Sequence, residues 1–140
     1  MTNKQYLLDT NLLIDFVKEV PSVVEKILQV GTHRCCMSVL SLHELYYGAQ
    51  LAREKKEEYY LQEQERISTL IEYFTVLHLD TYGEEYAHIK HALRKKGKPV
   101  DEFDMLIAAQ AVAEGLTVVT DNLKHFQNMP DVEVENWMER

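Results

Sequence analysis

The chain has 140 residues with 46% hydrophobic content, enough for one domain with a sizeable core, and no apolar run approaches the length of a membrane span. A net charge of −8 argues against a broad electrostatic platform for nucleic acid, since such platforms are basic. The two cysteines, Cys35 and Cys36, are adjacent and can neither build a disulfide framework nor fill a zinc site, so reduced, buried thiols in a cytoplasmic protein are expected. The opening Met-Thr-Asn-Lys-Gln-Tyr lacks the apolar core and cleavage site of a signal peptide, which agrees with that location.

In chain order, short β-rich runs alternate with helical ones, the pattern of a parallel sheet covered by helices. The first strand is expected at Gln5–Leu8, broken by Asp9-Thr10-Asn11, with helices over Leu12–Val17 and Ser22–Val30. A second strand at Arg34–Met37 leads into a helix over Val39–Tyr47. A long charged stretch, Arg53–Phe74, should be helical and break once, giving a hairpin arm. Val76–Leu79 is the third strand and Tyr82–Lys95 the next helix. Asp104–Glu114 is a helix apolar on nearly every face and therefore buried. Thr117–Thr120 is a strand entered from the helix stop Gly115, followed by a helical Asn122–Phe126 and a weaker strand at Val132–Glu135. With no repeat, low-complexity tract or linker, residues 1–140 read as a single domain.

Four acids, Asp9, Glu44, Asp104 and Asp121, each fall where an apolar run ends or a helix begins. Each also has an ordinary structural explanation. Asp9 and Asp104 could cap helices, Glu44 could close a capping box with Ser41, and Asp121 could shape the turn before Asn122. Two features weigh against these readings: Asp101 already offers a cap ahead of Asp104, and a helix starting at Ser38 would put Glu44 in its second turn. An acid at the carboxyl end of a strand points into the crevice where open α/β sheets bind ligands. Should all four converge there, the pocket would carry about four negative charges, which calls for a bound cation. Carboxylate oxygens without a His/Cys set suit Mg²⁺ or Mn²⁺ rather than zinc.

Basic residues cluster twice, as Arg53, Lys55 and Lys56 and as Arg94, Lys95, Lys96 and Lys98; either group could be a solvated helix face. His88 and His91, three apart on a helix, are expected at the surface. Tyr46, Tyr47, Tyr59 and Tyr60, at helical spacing, are expected in a core or dimer interface rather than stacked on bases.

The segments Leu8-Asp9-Thr10-Asn11-Leu12-Leu13-Ile14-Asp15, Ser38-Val39-Leu40-Ser41-Leu42-His43-Glu44-Leu45-Tyr46-Tyr47-Gly48, Val100-Asp101-Glu102-Phe103-Asp104-Met105-Leu106-Ile107-Ala108-Ala109 and Val118-Val119-Thr120-Asp121-Asn122-Leu123-Lys124-His125-Phe126, with Asn136-Trp137 closing, occur in the order in which PIN-domain ribonucleases carry them. The chain resembles that family from Tyr6 to Trp137, and within it the VapC-like toxins of toxin–antitoxin pairs. The resemblance implies a three-layer α/β/α PIN-like domain with a central parallel sheet of about five strands. It implies Mg²⁺ or Mn²⁺ held by Asp9, Glu44 and Asp104, with a fourth acid in the turn after Thr120. Many relatives place that acid where this chain has Asn122, while Asp121 stands one residue earlier, so the fourth position is open between them. Ser38 and Thr120 would be hydroxyl donors at the rim. The implied activity is metal-dependent endoribonuclease cleavage of RNA, with transfer or ribosomal RNA as the family-level target. The implied partners are a cognate antitoxin protein and a second copy in a homodimer.

Two rival readings stand beside this one. A haloacid-dehalogenase-like phosphatase would need a second Asp where this chain has Asn11, and a supporting Lys that cannot be assigned. A non-catalytic PIN-like module binding RNA or protein should have lost carboxylates that this chain keeps.

Overall fold

The computed structural model describes residues 4–138. Five parallel strands form one sheet in the order β3-β2-β1-β4-β5, with β1 at Tyr6–Leu8, β2 at Cys35–Ser38, β3 at Thr75–Leu77, β4 at Thr117–Val119 and β5 at Val134–Glu135. Tyr6 pairs with Cys35 on one side and Thr117 on the other, and Leu8 with Met37 and Val119. The chain moves from β1 outward to β2 and β3, then returns to lay β4 against the other side of β1. The strand order reverses at β1, so the crevice at its carboxyl end is the switch point where open α/β sheets bind ligands.

Helices α1 (Thr10–Val17), α2 (Pro21–Val30), α3 (Val39–Lys55), α4 (Glu57–Tyr73), α5 (Gly83–Lys96) and α6 (Glu102–Glu114) cover the sheet, with 3₁₀ turns at Thr32–Arg34 and Leu123–His125. Successive strand residues point to opposite faces, and this alternation divides the core. Leu8 and Val119 pack with Leu12, Leu13, Phe16, Ile27, Met37, Ile67 and Leu70 on one face. Leu7 and Val118 pack with Ile89, Leu93, Met105, Ile107 and Ala108 on the other. These are the three α/β/α layers.

Some boundaries differ from the sequence reading. Helix α3 does not end at Tyr47 but runs through Gly48 to Lys55, and the break in the charged stretch falls at Lys56, whose extended φ of −160° and ψ of 139° turn the chain into α4. One glycine in a helix costs only about 1 kcal/mol, and the helix continues beyond it packed along α4, with Ala49 fully buried. In place of the helix expected over Asn122–Phe126 there is a 3₁₀ turn at Leu123–His125, and β3 and β5 are shorter than expected.

Helix α6 is buried as anticipated, and it carries a polar side chain into the core. Gln110 is fully buried, accepts a hydrogen bond from the Ser38 hydroxyl, and has its amide directed at the carbonyls of Leu77 and His78, 3.4 and 3.5 Å away. Ser38 also caps α3 by accepting from the Leu40 N–H at 3.1 Å. Gln110 thus ties α6 to the ends of β2 and β3. Gln110→Ala leaves those groups unpaired beside a new cavity, and a loss of about 2–4 kcal/mol is expected in a urea unfolding titration. An unchanged midpoint would mean that the tie carries no stability.

Candidate functional site

Asp9 follows β1 directly and is 8% exposed. As the N-cap of α1 it accepts from the Thr10 N–H at 2.9 Å through Oδ1, while Oδ2 accepts from the Thr120 hydroxyl at 2.8 Å. Thr120, just past β4, in turn accepts from the Asn122 N–H at 2.9 Å. Two adjacent strand ends therefore fix one carboxylate.

Glu44 lies in the second turn of α3, as the Ser38 cap dictates. Its Oε1 lies 2.9 Å from the Thr10 hydroxyl, which also meets the Ser41 hydroxyl at 2.8 Å. A hydroxyl has one proton, so Thr10 gives its own to the carboxylate and accepts from Ser41. Asp104 sits in the first turn of α6, behind the N-cap Asp101, whose side chain makes no capping bond. The Asp104 carboxylate meets His125 instead, with Nδ1 2.6 Å from Oδ2. The Asn122 amide lies 3.0 Å from the other ring nitrogen.

These side chains surround one cavity of about 170 Å³, lined by Asp9, Thr10, Asn11, Glu44, Asp101, Asp104, Asn122 and His125. Among the described residues no Lys or Arg lines it. The electrostatic result is self-repulsion. Partial burial is the main cause pushing the Glu44 carboxyl above its ordinary range. The Thr10 hydrogen bond opposes it, and the charges of Asp9, Asp104 and Asp101 add to it. Burial likewise raises Asp104, helped by Asp9 and Asp101 and opposed by His125.

Three of the four acids singled out from sequence thus share the cavity. Asp121 is not among the residues lining it, whereas its neighbour Asn122 is. The two supporting hydroxyls expected at the rim are each 1% exposed and neither lines the cavity: Thr120 holds Asp9 from behind, while Ser38 is spent on capping and on Gln110. Sequence reasoning passed over Thr10, Asp101 and His125. The available signal was spacing: His125 stands three residues after Asn122, one 3₁₀ turn away. His88 and His91 are exposed, and His88 lies 3.7 Å from Asp131 at the surface. Tyr46, Tyr47 and Tyr59 are exposed on the α3–α4 arm rather than packed in the core.

The donor set is oxygen-rich and hard, which fits Mg²⁺ or Mn²⁺. Among the described residues no three His, Cys, Asp or Glu side chains are already drawn into a closed cluster. The carboxylates face one space but keep internal partners.

An open parallel sheet with carboxylates from β1, α3 and α6 gathered at its switch point defines an α/β/α protein with an acidic pocket. The PIN domain family model matches residues 6–132. The tRNA(fMet)-specific endonuclease VapC of Salmonella typhimurium is 33% identical over 134 residues, covering 95% of this chain and 98% of that protein. Ribonuclease VapC2 of Haemophilus influenzae is 33% identical over 135 residues, covering 96% and 98%. The crystal structure of DNA-bound VapBC from Salmonella typhimurium superposes with a TM-score of 0.84 at 33% identity, covering 96% of this chain and 99% of that one. The VapBC2 complex of Rickettsia felis, bound to a promoter DNA fragment, superposes at 0.81 with 28% identity, covering 95% and 98%. The chain belongs to the PIN-domain family, among its VapC-like members.

Proposed function

We propose that this protein is a metal-dependent endoribonuclease acting in the cytoplasm as the toxin of a toxin–antitoxin pair. The observation that carries the reading is the meeting of Asp9, Glu44 and Asp104, from three separate elements, around a cavity that no Lys or Arg lines among the described residues. Names and complexes of the relatives support it, since these include ribonucleases and VapBC assemblies.

Asp9, Glu44 and Asp104 would hold Mg²⁺ or Mn²⁺, with Asn122 or Asp121 completing the shell through water. When bound, the ion lowers the pKa of a coordinated water and offsets charge on the scissile phosphate. The chain's own residues supply the geometry. Thr10 N–H and Thr120 fix Asp9, Thr10 aims Glu44, and His125 holds one oxygen of Asp104. Glu44, open to solvent and hydrogen-bonded by Thr10, would either complete the ion's shell or take the proton of the attacking water. No step needs a 2′-hydroxyl, so the preference for RNA, whether transfer or ribosomal, rests on contacts outside the carboxylates.

A groove of about 400 Å³ between α1, α3 and α4, lined in part by Ile14, Val17, Leu45, Ile67 and Leu70, opens onto the acidic cavity through Thr10, Asn11 and Glu44. It supports an antitoxin segment seated there, with a basic side chain reaching the acids. Tyr47, Leu51 and Leu61, exposed on the α3–α4 arm, support a homodimer.

Purified, antitoxin-free protein is expected to cut total cellular RNA into discrete fragments with Mg²⁺ or Mn²⁺ and to stop with EDTA. Cutting that EDTA leaves untouched would refute metal dependence. Absence of cutting by folded protein on transfer, ribosomal and messenger RNA alike would put the binding-module reading ahead.

A further inference from the structure

A polyanion approaching this cavity meets carboxylates without a lining cation, on a chain of net charge −8. Attraction must come from the rim, and the sequence offers two basic groups. The structure separates them. Arg53, Lys55 and Lys56 sit at the far elbow of the α3–α4 arm, about 14 to 18 Å along the helix direction from Glu44. There Arg53 is held by Glu57 at 3.1 Å and stacks on Tyr60 at 3.4 Å, while Lys56 lies over Tyr59 at 5.7 Å. That group is largely occupied within the arm.

The second group is placed and occupied differently. Helix α5 packs against α6, and the five-residue loop between them (97–101) returns the chain from the C-terminal turn of α5 to the N-terminus of α6. The last turn of α5 therefore lies within five residues of Asp101, which lines the cavity together with Asp104 and His125. Residues 94–98 hold four of the chain's fifteen Lys and Arg, and no acid. Gly97, left-handed at φ 67°, ends the helix, and Lys98 stands three residues before Asp101, at most about 11 Å along the chain. Lys124 adjoins His125 in sequence, in the same 3₁₀ turn. Lys96 donates to the Asn128 carbonyl at 2.8 Å, tying this turn to the 123–128 segment. Arg94, Lys95, Lys98 and Lys124 are exposed, and among the described residues no ion pair holds them, although Lys4, Arg66 and Lys90 all find carboxylates. The helix dipole accounts for favourable charge in the last turn of α5, but not for Lys98 or Lys124, which lie outside that helix.

We propose that Arg94, Lys95, Lys98 and Lys124 form the phosphate-binding track that delivers single-stranded RNA to the acidic cavity. The inference rests on the ribonuclease reading and adds to it the surface that holds the substrate. Lys96 orders the track, and the basic elbow of the arm takes no part.

The test is fluorescence anisotropy of a labelled poly(U) strand with antitoxin-free protein in EDTA, titrated at several KCl concentrations. Each phosphate contact contributes about 0.7 to the slope of log affinity against log salt for single strands. Lys95→Gln/Lys98→Gln/Lys124→Gln is expected to flatten that slope by about 2, Lys→Arg at the same positions to restore it, and Lys55→Gln/Lys56→Gln to leave it alone. A misfolded variant would show in circular dichroism, and the Arg triple would then be compared directly with wild type. An unchanged slope in the Gln triple, with wild type binding and cutting RNA, would overturn the track and leave the ribonuclease reading standing. Equal flattening by the elbow variant would overturn the assignment of the surface. Loss of antitoxin binding with the RNA slope intact would make the patch a protein-docking surface and refute the proposal. Wild type that neither binds nor cuts RNA would overturn both readings.

Discussion

Asp9→Asn is expected to cut RNA about a hundred- to a thousandfold more slowly than the parent while remaining folded, the order of loss seen when one charge-stabilising group is taken from a reacting centre. The separation of the two effects follows from the hydrogen bonds of Asp9. Asn keeps an oxygen to accept from the Thr10 N–H, so the cap on α1 survives. Its amide replaces the oxygen that accepts from Thr120, and that hydroxyl, already accepting from Asn122, loses the acceptor for its own proton. One strained partner costs about 1 kcal/mol, and removing a buried charge from beside Glu44 and Asp104 offsets part of it. Urea unfolding should therefore move by about 1 kcal/mol or less. Thr120→Val probes the same carboxylate from outside: Asp9 keeps its charge but loses its anchor, and cutting should fall about tenfold. Equal rates for Asp9→Asn and wild type would remove Asp9 from the site.

The layer order and three of the four acids were legible because they depend on local chemistry. Leu7-Leu8-Asp9 reads as a buried strand running into an acid whatever the rest of the chain does, and Val118-Val119-Thr120 repeats the pattern beside it. The extent of α3 was not legible. Gly48 and the charged run beyond it look like an end, and only contact with α4 shows that the helix continues. The fourth position illustrates a different limit. Asp121 is the acid, yet Asn122 lines the cavity, because the Thr120 hydroxyl takes the Asn122 N–H and sets which side chain of the turn faces inward. Ser38 was misread as a rim hydroxyl for a related reason. Its partner Gln110 lies 72 residues away and looks, in sequence, like one polar interruption of an apolar helix. The distinction between the two basic clusters was half legible: Glu54, Glu57 and Glu58 accompany the first and no acid interrupts the second, but what each side chain meets needed three dimensions.

Metal should stabilise the protein at neutral pH and lose that effect in acid. Glu44 and Asp104 have raised pKa values in the folded chain, first through burial and then through the charges of Asp9 and Asp101, with Thr10 and His125 opposing. Unfolded, both groups titrate near pH 4. Between that pH and their folded values the native state binds more protons than the unfolded one, so stability from these groups falls as pH rises through the window. Above it, two carboxylates remain ionised against their neighbours' charge, and a divalent cation relieves the repulsion. Mn²⁺ at about 100 times its dissociation constant adds about 2.7 kcal/mol, or about 8–10 °C in Tm for a chain of this length. Below the window protons occupy the same oxygens, and the shift should shrink toward zero. Glu44→Gln separates this account from general ion effects. Its carbonyl can still accept from Thr10, so metal-free Tm at neutral pH should rise slightly, while the Mn²⁺ shift falls by more than half. Thermal unfolding with Mn²⁺ or EDTA across pH 4–8 reads both quantities. A Mn²⁺ shift independent of pH and of Glu44 would place the ion elsewhere on the molecule.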